Sequence, residues 1–132
     1  MENKFKTPQE DFWAGNFGKE YIERNQGSEL LAANLNFFNK ALKAVIKPKS
    51  MIEFGANIGM NLKALRLLYP NMDQRAIEIN KTACLELIQM IGKNNVINDS
   101  VFNVDLSEKV ELSLIKGVLI HINPDMLSVV YQ

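Results

Sequence analysis

The sequence predicts an α/β fold, a parallel sheet with flanking helices, and three observations carry that reading. Short apolar runs at 51–54, 74–79, 96–98 and 112–122 alternate with segments of helical periodicity. Between the first run and its helix lies Glu53-Phe54-Gly55-Ala56-Asn57-Ile58-Gly59, a turn of small residues with two glycines. An acid, Glu78, closes the second run about two dozen residues on. Strands alternating with helices imply right-handed crossovers and therefore parallel pairing.

Residues 1–27 mix aromatics, glycines and charges and read as an arm with a helical turn or two. Residues 28–132 read as the core, so the 132-residue chain forms one domain. Ser28 is a suitable N-cap, and Leu31, Leu35, Phe38, Leu42 and Val45 then fall on one helical face. Pro48 disfavours helical geometry at Lys47 and helps to end that helix. The strand at 51–54 follows. After the glycine turn, Leu62, Leu65 and Leu68 form the inward stripe of a helix that stops at Pro70-Asn71.

The strand at 74–79 leads to Asn80, a good N-cap. Cys84, Leu87, Ile88 and Ile91 make the next buried stripe, with Gly92 as the stop. Val96-Ile97-Asn98 is a short third strand, and 101–105 leads into a loop. The most apolar stretch, 112–122, reads as a central strand running into Lys116-Gly117 and then a turn that reaches Pro124. Four such strands leave one side of the central strand uncovered. The expectation is a chain shortened at its C-terminal side, or one that covers the open edge with a partner such as a second copy.

Composition excludes several classes. Lys+Arg and Asp+Glu are both 15, so no basic excess points to nucleic acid and no charged tail to a membrane surface. No apolar run approaches the roughly 18 residues of a spanning helix, and Met1-Glu2-Asn3-Lys4-Phe5 lacks the apolar core of a signal peptide. A single cysteine, Cys84, rules out an internal disulfide framework and fits a reducing cytoplasm. Cytoplasmic localisation, with no nucleic-acid or membrane partner and no metal, is the expectation.

The glycine turn and Glu78 together point to a nucleotide-like ligand. Glycines turn the backbone sharply and admit a ligand without a Cβ in the way. The following helix presents unpaired N–H groups to the turn. A carboxylate at the second strand's end accepts from both ribose hydroxyls. Gly55-Ala56-Asn57-Ile58-Gly59 lacks the G-x-G-x-x-G spacing that admits a pyrophosphate, which argues against a dinucleotide-dependent oxidoreductase.

These residues resemble the class I S-adenosylmethionine-dependent methyltransferases, whose sheet is Rossmann-like and seven-stranded. The turn at 53–59 looks like that family's first motif, Glu78 like the acid ending its second strand, and Asp105-Leu106 like its adenine-contacting position. The run 114–122 looks like its fourth-strand motif. More narrowly, 12–25, 55–59 and 116–124 resemble the methylases associated with pseudaminic acid biosynthesis.

The resemblance implies S-adenosyl-L-methionine as cofactor and a small, carbohydrate-related acceptor, in a nonulosonic-acid or surface-glycan pathway. It implies cofactor-binding roles for Glu53, Gly55, Ala56, Asn57, Gly59, Glu78, Ile79, Asp105, Leu106 and Lys116. Glu53 accepts from the cofactor's amino group on this reading, or is a strand-end acid in a salt bridge. Asp105 accepts from the adenine, or caps its own loop. Trp13, Phe17, Tyr21 and Arg24 form an arm over the crevice that excludes water, with Arg24 or Tyr21 reaching the cofactor carboxylate, or the aromatics merely pack on the core. His121, the only histidine, serves as a base toward an acceptor hydroxyl or as a structural hydrogen-bonding group. A non-enzymatic alternative is a cofactor-binding domain that transfers nothing.

Overall fold

The structure, a computed structural model, describes residues 6–18, 20, 27–44 and 47–132. Its sheet comprises β1 (Ser50–Phe54), β2 (Asp73–Ile77), β3 (Val96–Ile97) and β4 (Leu112–Ile115), in the order β3-β2-β1-β4. Every pairing is parallel. Among the described residues its helices include α1 (Pro8–Ala14), α2 (Ser28–Ala41), α3 (Met60–Leu68), α4 (Lys81–Ile91) and the short α5 (Leu127–Val130). This is an α/β Rossmann-like architecture.

β1 is the hub. Met51, Ile52 and Glu53 are all buried, and Glu53 stands opposite Ala76 on one side and Leu114 on the other. A strand covered on both faces reads as a continuous apolar run, and a buried acid within such a run therefore stands out. The core joins Phe38 of α2 and Leu62 and Leu65 of α3 to Met51 and Ala76 of the sheet, with Leu87 and Ile91 of α4. Asn80 caps α4 as its sequence position suggests, its Oδ1 accepting from the N–H groups of Thr82 at 3.0 Å and Ala83 at 3.1 Å. Gly92 ends that helix at φ 88°. Cys84 is buried in α4, and burial pushes its thiol up to about 11.

The apolar run at 112–122 is extended as far as Ile115 and turns at Gly117, which lies in the left-handed region at φ 69°, in line with the expected strand running into Lys116-Gly117. A 3-10 turn at Leu119–His121 follows, within the turn expected ahead of Pro124. β4 lies at the edge of the described sheet with one side unpaired, as four strands lead one to expect, and β1 is interior. In the arm, α1 opens with a capping box in which Thr7 and Glu10 bond each other's backbone, with Pro8 in the first turn.

The topology places the site. The chain runs from β1 through β2 to β3 on one side and returns to β4 on the other, so the strand order reverses at the C-terminal ends of β1 and β4. A crevice opens at such a switch point.

Candidate functional site

The turn after β1 is held from below. The N–H groups of Gly55 and Ala56 donate to the Ile77 carbonyl at 2.8 and 3.1 Å, tying the turn to β2. Gly55 has φ 71°, and a Cβ built there would lie 2.5 Å from Cγ2 of Val118. Asn57 is left-handed as well, at φ 52°, a region that asparagine tolerates better than most residues. Gly59 begins α3 at φ 83°, and a Cβ there would meet Leu87 and Met90 of α4 at 2.8 and 2.9 Å. The two glycines thus serve different purposes: Gly55 lets the turn pass under the 116–118 segment, and Gly59 lets α3 approach α4.

Glu78 follows β2 immediately, and its carboxylate is gripped by backbone. Oε1 accepts from the Asn57 N–H at 2.9 Å and Oε2 from the Asn80 N–H at 2.5 Å. Asn98 Nδ2 donates to the Glu78 and Ile79 carbonyls at 3.0 and 3.1 Å, fixing the strand end from the β3 side. Burial raises the Glu78 pKa, against the backbone hydrogen bonds that lower it. A carboxylate offers about four acceptor positions, so two backbone donors leave capacity for a ligand's hydroxyls.

Glu53 sits deeper. Its Oε1 accepts from Asn61 Nδ2 at 2.6 Å, whereas Oε2 is buried with no partner. Burial pushes its carboxyl up to about 8; the Asn61 hydrogen bond opposes this, the Glu78 charge adds to it, and Lys116 offsets part of it. A buried carboxyl oxygen without a partner is costly and calls for a polar ligand group beside it.

These elements border a cavity of about 300 Å³. Gly55, Ala56, Asn57, Glu78, Ile79, Lys116 and His121 all line it, so the structure brings seven of the sequence-predicted residues together. Glu53 and Gly59 lie behind the wall, Glu53 through its contact with Asn61, which does line it. Lys116 Nζ is 5.6 Å from the Phe37 ring centroid, within cation–π range.

Asp105 and Leu106 do not join the site. Both are exposed and absent from the lining, and the segment Asp99-Ser100-Val101-Phe102 occupies the β3 side of the cavity instead. The reason is the brevity of β3: it ends at Ile97, so the residues directly after it turn into the crevice and 105–106 lie beyond. Tyr21 and Arg24 lie outside the described residues.

Sequence reasoning had Trp13 in an arm over the crevice but missed Thr7, Gln9 and Glu10 beside it. Thr7, Gln9, Glu10 and Trp13 line the cavity. Asn80 Nδ2 holds the end of α1 by donating to the Trp13 carbonyl at 3.1 Å, and the Trp13 ring lies 4.7 Å from that of His121. The signal was present in Thr7-Pro8-Gln9-Glu10, which has the T-x-x-E pattern of a capping box. Among the described residues no cluster of His, Cys, Asp and Glu is arranged for a metal, and no helix is long and apolar enough to cross a membrane.

The class the fold defines is Rossmann-like α/β with a ligand crevice at the switch point of its parallel sheet. Solved structures that share it include methyltransferases. The sugar N-methyltransferase KedS8 from Streptoalloteichus sp ATCC 53650 superposes at TM-score 0.61 and 14% identity, covering 91% of this chain and 47% of that one. The plantazolicin methyltransferase BpumL, in complex with a pentazolic desmethylPZN analog and SAH, gives 0.53 and 20%, covering 74% and 39%. Coclaurine N-methyltransferase, bound to N-methylheliamine and SAH, gives 0.54 and 14%, covering 74% and 35%. The chain spans less than half the length of these proteins, and the likeness is one of fold. No protein-family model matches the sequence, and no curated protein is detectably similar to it.

Proposed function

We infer that this chain carries the cofactor site of an S-adenosylmethionine-dependent methyltransferase acting on a small, carbohydrate-related acceptor. The observation that carries the reading is the Glu78 carboxylate, buried at the end of β2 and oriented by Asn57 and Asn80 beside the Gly55 turn. Neighbours of the same fold hold S-adenosylhomocysteine, the product of such a transfer. A nonulosonic acid or surface glycan is the finer acceptor reading, supported by the resemblance at 12–25 and 116–124; a neighbouring sugar N-methyltransferase supports a sugar-like acceptor more generally.

The residues fit the group. The cavity volume falls at the lower end of the roughly 300–1,000 Å³ range of small-molecule sites. The orphaned Glu53 Oε2 and the free acceptor capacity of Glu78 call for ligand donors. Bound there, S-adenosylmethionine supplies a methyl group on a cationic sulfur.

The chain's own residues then bind, orient and exclude water. Glu78 accepts from ribose hydroxyls. Ile79, Ser100 and Val101 hold the base. Glu53 and Asn61 receive the amino end, and Ala56 and Asn57 form the floor. Lys116 balances the carboxylates. Trp13 covers the mouth on the His121 side, and a His121 ring nitrogen takes the proton that an acceptor hydroxyl or amine gives up. Orientation of the acceptor by these walls accounts for much of the rate.

A crystal structure with S-adenosylhomocysteine tests the reading. Both ribose hydroxyls should lie within hydrogen-bond distance of Glu78; a ligand seated away from Glu78 would refute it.

A further inference from the structure

On that reading of the site, we propose that α1 builds the acceptor subsite, and that the acceptor it receives is an amine-bearing small molecule of the amino-sugar type. Glu10 is buried to 6% exposure and lines the cavity. The capping box explains only half of its carboxylate. Oε2 accepts from the Lys6 and Thr7 N–H groups at 2.6 and 2.7 Å, whereas Oε1 is buried with no partner. Glu10 forms no ion pair among the described residues. The side-chain oxygen of Gln9, its neighbour on α1, is likewise buried, unpartnered and part of a lining residue.

A buried acceptor atom without a donor is costly, and more so when it carries charge. A ligand that supplies donors removes the cost, and a cationic donor does so with the strongest hydrogen bond. Successive residues on a helix do not face each other. The two oxygens therefore call for donors on separate atoms of the ligand, an ammonium for Glu10 and a hydroxyl for Gln9. The Trp13 ring, 4.7 Å from His121, adds an aromatic wall that suits the ligand's apolar face or its cation.

The subsite is keyed to the cofactor side through one residue. The Asn80 side chain donates to the Trp13 carbonyl at 3.1 Å, while the Asn80 N–H donates to Glu78. With Glu10 and Glu78 both facing the cavity, the end of the acceptor that meets α1 is neutral or cationic and not an acid group.

The test titrates glucosamine, glucose and glucuronate into the protein saturated with S-adenosylhomocysteine. Binding is read by calorimetry and by the fluorescence of Trp13, the single tryptophan of the chain. Glucosamine should bind at least about tenfold tighter than glucose, with glucuronate weakest. Glu10→Gln keeps the capping box but turns the free oxygen into a donor. It should weaken glucosamine by at least about tenfold and change S-adenosylhomocysteine affinity by less than about twofold. Gln9→Met, which retains helix propensity, should weaken glucosamine to a lesser degree and serves as the second variant if Glu10→Gln fails to fold. Equal affinity for the three sugars, a preference for glucuronate, no sugar binding, or variants that bind glucosamine like the wild type would overturn the proposal. Failure of S-adenosylhomocysteine to bind removes the methyltransferase reading and this subsite with it. Its binding without a glucosamine preference removes the subsite alone.

Discussion

The N–H of Asn57 donates to Oε1 of Glu78 at 2.9 Å, so the residue closing β2 holds the left-handed corner of the turn after β1. One carboxylate thereby shapes the floor of the crevice and stands ready for a ligand. Glu78→Ala should weaken S-adenosylhomocysteine binding by roughly 1.5–3 kcal/mol, the scale of a charged-group hydrogen bond, while the chain stays folded. Calorimetry alongside circular dichroism checks this. Unchanged affinity removes Glu78 from the site.

The two glycines of the turn should separate in their effects. Gly55→Val drives a side chain into Val118 on a left-handed backbone and should abolish binding. Gly59→Ala meets Leu87 and Met90 behind the cavity wall. It should lower the melting temperature, by more than about 1 kcal/mol of stability, and alter affinity less than Gly55→Val does. Thermal melts and ligand titrations on both variants distinguish the two roles.

Glu53 predicts a pH dependence with a definite sign. Its folded-state pKa is raised from 4.5 to about 8, so between those values the folded chain retains a proton that the unfolded chain has lost. Stability is therefore full below the unfolded value and falls as pH rises toward 8. Glu53→Gln keeps an oxygen for Asn61 and removes the titration. The variant should gain more than about 1 kcal/mol over wild type at the alkaline end, since each pKa unit is worth about 1.4 kcal/mol. Denaturant melts across the range check it. A wild-type profile that does not fall contradicts the assignment.

The loop after β3 gives a contrast within one segment. Asp105→Ala, at an exposed position outside the cavity, should leave S-adenosylhomocysteine affinity within about 0.5 kcal/mol of wild type. Val101→Asp, in the lining, should weaken it by more than about tenfold, or 1.4 kcal/mol. Parallel titrations decide between the two halves of the loop.

Residues 53–59 and Glu78 were legible in the sequence because local rules place them. A strand-to-helix turn needs glycine where φ is positive, and period and spacing locate the acid. Asp105 and Leu106 were expected at the crevice and lie away from it because β3 is two residues long, too short for an apolar pattern to mark its end. The end of the last strand was legible as well, because Lys116-Gly117 interrupts the apolar run at 112–122 and Gly117 supplies the positive φ of the turn. Asn80 was legible as a helix cap. That its amide also pins α1 depends on a contact across 67 residues, which no local pattern encodes.

Calorimetric titration of the wild-type protein with S-adenosylhomocysteine and, separately, with NAD tests the central claim most directly. Saturable one-to-one binding of S-adenosylhomocysteine with no heat from NAD is the predicted result; binding of NAD with none of S-adenosylhomocysteine would contradict it.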